Sequence, residues 1–279
     1  MRLERESAVI REAFPPEYVD VAVAVTELGA STTLMFLLAM CYWLTRRQET
    51  AVVVSYTLAG AAFLIGLKAI LAMPRPPEEL FLIPLDGDEY GFPSGHTFAA
   101  VVVYGGLVSA FGRRRDFGVV AGAATLIALI ALSRVVLGVH YLGDVLVGGA
   151  LGVAFLLVLE RLVGSDPRRG FAIAVFLALP AIVVTGGADE GLIALGGGLG
   201  GLLASSRLES LPALRSRLEG ALLSLGGLAF VAVAVVVESV VGWFEPAFVA
   251  VYAAIVVGIL LAPAAVGRLR WARLESSRS

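Results

Sequence analysis

Residues 117–163 read FGVVAGAATLIALIALSRVVLGVHYLGDVLVGGALGVAFLLVLERLV. They hold two apolar runs, 117–137 and 141–163. Each is about 20 residues long, the length an α-helix needs to cross the hydrocarbon core of a bilayer. Where the runs meet stand Arg134, His140 and Asp144. Ionisable groups beside membrane helices are costly unless they pair or serve a ligand. The stretch therefore sets both the fold class and the region where function should be sought.

The rest of the chain repeats the pattern. Further apolar runs at 21–45, 51–73, 94–111, 171–186, 190–206, 220–241 and 247–266 bring the expected spans to nine. Hydrophobic residues make up 58% of the 279 residues and charged residues 16%, and the mean hydropathy is +0.90. A soluble domain is nearer half apolar and roughly a quarter charged. The expectation is an all-α, polytopic integral membrane bundle of about nine transmembrane helices. It divides into an N-terminal interfacial segment (1–20), a core (21–165), and additional C-terminal helices with a basic tail (166–279).

Orientation follows from the arginines. Arg46 and Arg47, Arg113 to Arg115, Arg161, Arg168, Arg169, Arg207, Arg215, Arg217 and the tail arginines all fall on one side of a nine-span chain. The other side holds Lys68, Arg75 and Arg134, and Lys68 is the only lysine; the exception is the N-terminal segment, where Arg2, Arg5 and Arg11 stand among carboxylates. Positive charge stays cytoplasmic, so the N-terminus is expected outside, the C-terminus in the cytoplasm, and the polar clusters on the extracytoplasmic face of the cell membrane. Residues 1–18 are rich in charge and lack the short apolar core of a cleavable signal peptide. Cys41 is the sole cysteine, which excludes an internal disulfide and a cysteine metal cluster. A net charge of −2 with scattered basic residues points away from nucleic acid.

Both histidines lie in the polar clusters. His140 and Asp144, four apart, share a helix face. A carboxylate on one ring nitrogen fixes the tautomer and leaves the other nitrogen as a nucleophile; a pair that only caps a helix is the blander account. Pro93-Ser94-Gly95-His96 suits the first turn of a helix, where free N–H groups attract anions. Gly95 lets a phosphate oxygen approach, Ser94 offers a hydroxyl, and His96 stands ready as a proton donor. Lys68, Arg75 and Arg134 supply positive charge matched to phosphate oxygens. Gly196-Gly197-Gly198-Leu199-Gly200-Gly201 looks like a phosphate loop, but it lies in an apolar run without a following Lys-Ser/Thr. It is read as close helix packing, as are Gly148 and Gly152. Glu27 is placed about two turns inside the first span. Glu78, Glu79, Asp86, Asp88 and Glu89 form an acidic loop, either simply solvated or a lid against soluble anions.

Lys68-x6-Arg75-Pro76, Pro93-Ser94-Gly95-His96 and Ser133-Arg134-x5-His140-x3-Asp144 together resemble the tripartite signature of the type 2 phosphatidic acid phosphatase family, which includes undecaprenyl-pyrophosphate phosphatases and vanadium haloperoxidases. The resemblance covers roughly residues 50–165. It implies that His140 attacks phosphorus to form a phosphohistidine, with Asp144 orienting it. His96 would protonate the leaving group, and Lys68, Arg75, Ser94, Gly95 and Arg134 would hold the phosphoryl oxygens. It also implies no metal and no cofactor. The expected activity is metal-independent hydrolysis of a lipid-linked phosphate monoester or polyprenyl pyrophosphate at the outer face. A phosphotransferase using the same site, and a non-catalytic transporter or binder of phosphorylated lipids, are the alternatives.

Overall fold

The computed structural model describes residues 2–84, 90–214 and 216–276, with side chains considered through residue 265. Asp86, Asp88 and Glu89 of the acidic loop lie outside the described residues. The described residues are helical almost throughout. In order they form α1 (Glu4–Ala13), α2 (Val19–Glu27), α3 (Ser31–Leu44), α4 (Arg47–Leu71), α5 (Gly95–Ala100), a π-helical turn (Val101–Gly105), α6 (Gly106–Ala110), α7 (Phe117–Val136) and α8 (Leu142–Val163). Then follow α9 (Pro167–Thr185), α10 (Asp189–Ser205), α11 (Arg217–Val241) and α12 (Glu245–Ser276). No strand occurs among the described residues.

Each of the nine apolar runs becomes helical, but fewer are long enough to cross a membrane. Six helices meet the length and hydropathy of a span: α4, α7, α8, α9, α11 and α12 over Glu245–Ala265. A seventh is reached if the bent pair Pro16–Glu27 and Ser31–Leu44 counts as one span. That pair bends by 52° at Gly29, where a Cβ would lie 2.6 Å from Ile130. The bend lays α2 across α7 and puts Glu27 at the exposed C-terminal end of α2. The third run is the short helical stretch Gly95–Ala110, and the seventh is the 17-residue α10. Neither meets the span criterion by its own length.

Helix starts are written in the local sequence. Asp116 Oδ1 accepts from the Val119 N–H at the head of α7. Asp166 caps α9 ahead of Pro167, whose missing N–H costs nothing there. Inside, Phe63, Phe98 and Phe155 knit α4, α5 and α8 together, with ring centroids 5.0 and 5.4 Å apart for the pairs that include Phe155. Glycines set the closest approaches. A Cβ at Gly148 would stand 2.7 Å from the Ser94 carbonyl, and one at Gly152 2.9 Å from Val101 Cβ. The glycine run of α10 works the same way: Gly196 and Gly200 face the α12 backbone, Gly197 faces Leu58, and Gly201 faces the Phe171 ring. It is a packing surface, as its apolar setting predicts.

The C-terminal helices are tied to the core. Tyr42 Oη donates to the Leu260 carbonyl at 2.7 Å, and Trp43 Nε1 to Ile259 at 2.9 Å; α10 packs on α4, α9 and α12. One end of the bundle is joined through arginines, with Arg46 donating to Phe111 O, Arg47 to Pro212 O, and Arg114 paired with Glu160. The opposite end of α4, about 30 Å away at 1.5 Å per residue, carries Lys68.

Candidate active site

Lys68 sits in the last turn of α4, Arg75 in the loop beyond it, and Gly95 and His96 at the head of α5. Arg134 lies in the last turn of α7, and His140 in the short link to α8. All six line one cavity of about 330 Å³. Three separate stretches of sequence thus converge at one end of the bundle.

Ser94 and Asp144 stand behind the cavity wall, fully buried. The Ser94 N–H donates to the Asp144 carbonyl at 3.0 Å, which fastens the head of α5 to α8. The Ser94 hydroxyl accepts from Thr97 Oγ1 at 3.1 Å. Asp144 is the third residue of α8, and its Oδ2 accepts the Tyr141 N–H at 2.9 Å. It therefore closes the helix start from within, the carboxylate half of a capping box. Both accounts of the His140–Asp144 pair meet in one side chain: Asp144 caps α8 and also faces the imidazole.

His140 Nδ1 lies 3.6 Å from Asp144 Oδ2 and has no closer partner. On the other edge of the ring, Nε2 is 3.3 Å from Arg75 Nη1. A guanidinium can only donate, so Nε2 carries the lone pair and the ring proton belongs on Nδ1, toward the carboxylate. Burial pushes the His140 imidazole down to about 4, with the Asp144 carboxylate opposing and Arg134, Arg75 and Lys68 adding to the fall. The ring is thus neutral near pH 7 with its free nitrogen toward the cations.

Those cations are themselves buried, Lys68 at 4% and Arg134 at 2% exposure, so each needs partners or an anion. Lys68 Nζ donates to the Tyr90 carbonyl at 3.1 Å, and Arg75 Nη1 to Val139 O at 3.3 Å. Arg134 Nη1 donates to Thr26 Oγ1 at 3.0 Å, while its Nε has no hydrogen-bond partner. A Cβ at Gly95 would stand 3.8 Å from Lys68 Nζ, so the head of α5 lies directly beside that ammonium. An anion with several oxygens, seated among these groups, would satisfy the orphaned guanidinium nitrogen. Among the described residues no three His, Cys, Asp or Glu side chains cluster as metal ligands.

The cavity does not stop at its charged head. Ile65, Leu64, Ala61 and Leu58 continue from Lys68 along one face of α4, over roughly 16 Å at 1.5 Å per residue to Thr57. Leu34 and Met35 of α3 and Phe98, Ala99 and Val102 face them. Glu190, from the head of α10, also lines it.

Two participants escape a reading by motif. Thr26 holds Arg134 from α2, and Arg2 reaches Asp144 from the N-terminus, with Nε to Oδ1 and Nη2 to Oδ2 both at 2.7 Å. Neither has a spacing signal, since they lie 108 and 142 positions from their partners.

Residues 50–167 match the family model described as PAP2 superfamily. Two curated relatives are decaprenylphosphoryl-5-phosphoribose phosphatases of Mycobacterium tuberculosis, from strains CDC 1551 / Oshkosh and ATCC 25618 / H37Rv. Each is 30% identical over 127 residues, 44% of this chain and 66% of theirs. The match thus spans just under two thirds of the relatives' length. Among solved structures, a transmembrane PAP2 type phosphatidylglycerolphosphate phosphatase from Bacillus subtilis aligns with a TM-score of 0.47 at 25% identity, covering 57% of this chain and 82% of that one. LpxE of Aquifex aeolicus aligns with a TM-score of 0.48 at 20% identity, covering 56% and 93%. Residues 50–167, which carry the whole set from Lys68 to Asp144, are thus the part of the chain that is similar to the PAP2 superfamily.

Proposed function

We propose that this protein is a multi-pass membrane phosphatase that hydrolyses a lipid-linked phosphate monoester or pyrophosphate through a phosphohistidine at the extracytoplasmic face. The observation that carries this reading is the cavity itself. Its head holds two imidazoles and three cations, and its body is an apolar channel between α3, α4 and α5. An amphiphile with a phosphorylated head matches both parts. The curated relatives, named as decaprenylphosphoryl-5-phosphoribose phosphatases, support the same substrate class.

Lys68, Arg75 and Arg134 neutralise the phosphoryl oxygens, and their charge counts most as negative charge builds in the transition state. His140 Nε2, which carries the lone pair, attacks phosphorus in line and forms an N–P bond. The P–O bond to the lipid breaks, and its oxygen takes a proton from His96. In the complex, the negative charge of the phosphoryl group beside it favours the protonated form of His96. The imidazolium-like phosphohistidine is stabilised through its Nδ1–H by Asp144. A water molecule then gives a proton to His96 and attacks phosphorus, and the N–P bond breaks with its electron pair returning to His140 Nε2. Inorganic phosphate leaves, and both histidines return to their starting states. No step calls for a metal ion.

The outward face is supported by the bundle's polarity. Arg46, Arg47 and Arg114 join the loops at the end opposite Lys68, as expected if that end faces the cytoplasm. Counting α10 and the Gly95–Ala110 stretch as shortened crossings preserves nine passes and the alternation of ends.

The test is phosphate release from lipid phosphates by purified protein in detergent with EDTA present. Release from the native protein and none from His140→Ala is the expected result. Release unchanged in His140→Ala would overturn the mechanism, and release restored only by added divalent metal would overturn its metal independence.

A further inference from the structure

We infer that Arg2 is a positioning residue for this reaction: its guanidinium forks onto the Asp144 carboxylate and fixes the direction in which that carboxylate faces His140. The inference rests on the phosphatase reading above and extends it to a segment outside the family-matched residues.

The geometry is specific at every group Arg2 possesses. Nε and Nη2 each meet one oxygen of Asp144 at 2.7 Å, a fork-to-fork pair. Nη1 donates to the Pro74 carbonyl at 2.6 Å, beside Arg75. The guanidinium carbon lies 4.8 Å above the Tyr141 ring, within cation–π range. The main chain joins in: the Arg2 carbonyl accepts the Gly143 N–H at 2.9 Å, and a Cβ at Gly143 would stand only 2.8 Å from that oxygen. Ser7 Oγ accepts the Leu142 N–H at 2.8 Å. The first N–H groups of α8, which no helical bond can satisfy, are thus taken up by the N-terminal arm.

The physical need is plain. Asp144 is fully buried, and a buried carboxylate must be paired or it takes a proton. His140 is neutral in the resting site and does not supply that charge; Arg2 does. Without the fork, only the Tyr141 N–H bond holds the carboxylate, which can then turn about that bond or take a proton, and either change weakens the acceptor aimed at the His140 Nδ1–H. Arg2 does not line the cavity, so it acts through Asp144 and not on the phosphoryl group. The arm is a part of the site that no helix spacing announces.

The experiment compares Arg2→Ala, Arg2→Lys and Arg2→Gln in the full chain, with His140→Ala alongside, reading kcat, KM and detergent melting temperature. Native release abolished in His140→Ala must come first; if the native protein releases no phosphate, the phosphatase reading fails and the inference fails with it. Given that baseline, each Arg2 variant should lose about 10- to 100-fold in kcat, the scale typical for an outer partner of a functional histidine, with KM within about twofold. Arg2→Lys reaches only one oxygen, so it should keep the melting temperature but not kcat. Methylguanidinium added to Arg2→Ala should restore part of kcat. The inference is overturned by unchanged kcat, by a rise in kcat (which would make the arm a brake), by full activity in Arg2→Lys, or by kcat and melting temperature falling together with no rescue.

Discussion

Single side chains in this site hold two duties, and their energetics can be separated by titration and by isosteric change. Burial keeps His140 neutral down to about pH 4, whereas an exposed imidazole in the unfolded chain takes its proton near 6.5, so between about 4 and 6.5 the unfolded state binds more protons. Stability therefore rises with pH across that window and is lost as pH falls through it. The melting temperature in detergent should drop on acidification from 6.5 to 4, and drop less in His140→Gln; parallel curves would contradict the buried neutral ring. Thr26→Val keeps the shape of the side chain but removes the oxygen facing Arg134 Nη1, leaving a second donor of that buried guanidinium unsatisfied. A loss of about 1–3 kcal/mol is expected, seen as a lower melting temperature, together with weaker inhibition by vanadate. At this scale the sequence was most legible where chemistry and helix spacing coincide. His140 and Asp144 share a turn, so four positions of separation reveal them. Arg2 and Thr26 come to their partners only through tertiary folding, and a lone arginine among other charges carries no periodic mark.

Elements here meet through glycine, and the cost of filling those contacts should depend on what lies opposite. At Gly148 a side chain would strike the Ser94 backbone, pushing α8 from the head of α5 and breaking the Ser94 N–H bond to the Asp144 carbonyl. Gly148→Leu should cost about 1–3 kcal/mol by overpacking and should nearly abolish phosphate release. Gly122→Leu, on α7 with nothing within 4 Å, should leave both intact. Comparable activity in the two variants would argue against the convergence of α5 and α8 as the frame of the site. The small-residue spacing in α8 and α10 announces close packing, and the structure agrees. Helix type was equally plain, since apolar runs of this length have few other solutions in a membrane. Helix continuity was not. Composition does not distinguish a straight run from one broken at Gly29, because the break answers a neighbour, Ile130, that only the folded bundle supplies.

For the molecule as a whole, the testable quantity is which end faces out. A cysteine introduced at Glu79, near the cavity end, should react with a membrane-impermeant maleimide on intact cells, in a background where Cys41 is replaced by alanine. One at Arg115, in the turn before α7, should react only after permeabilisation. The reverse pattern would invert the proposed orientation. Six helices have the length of a span, or seven with the bent pair, where the sequence predicts nine; the proposed orientation rests on counting the two short helical stretches as crossings. A last consequence concerns the helices beyond the family-matched segment. Glu190 lines the cavity from the start of α10, and α9 and α10 both lie along α4. Excising residues 50–167 would unroof the channel on that flank and bare α4, so the proposed activity is expected to need the C-terminal helices as well as the family-matched segment.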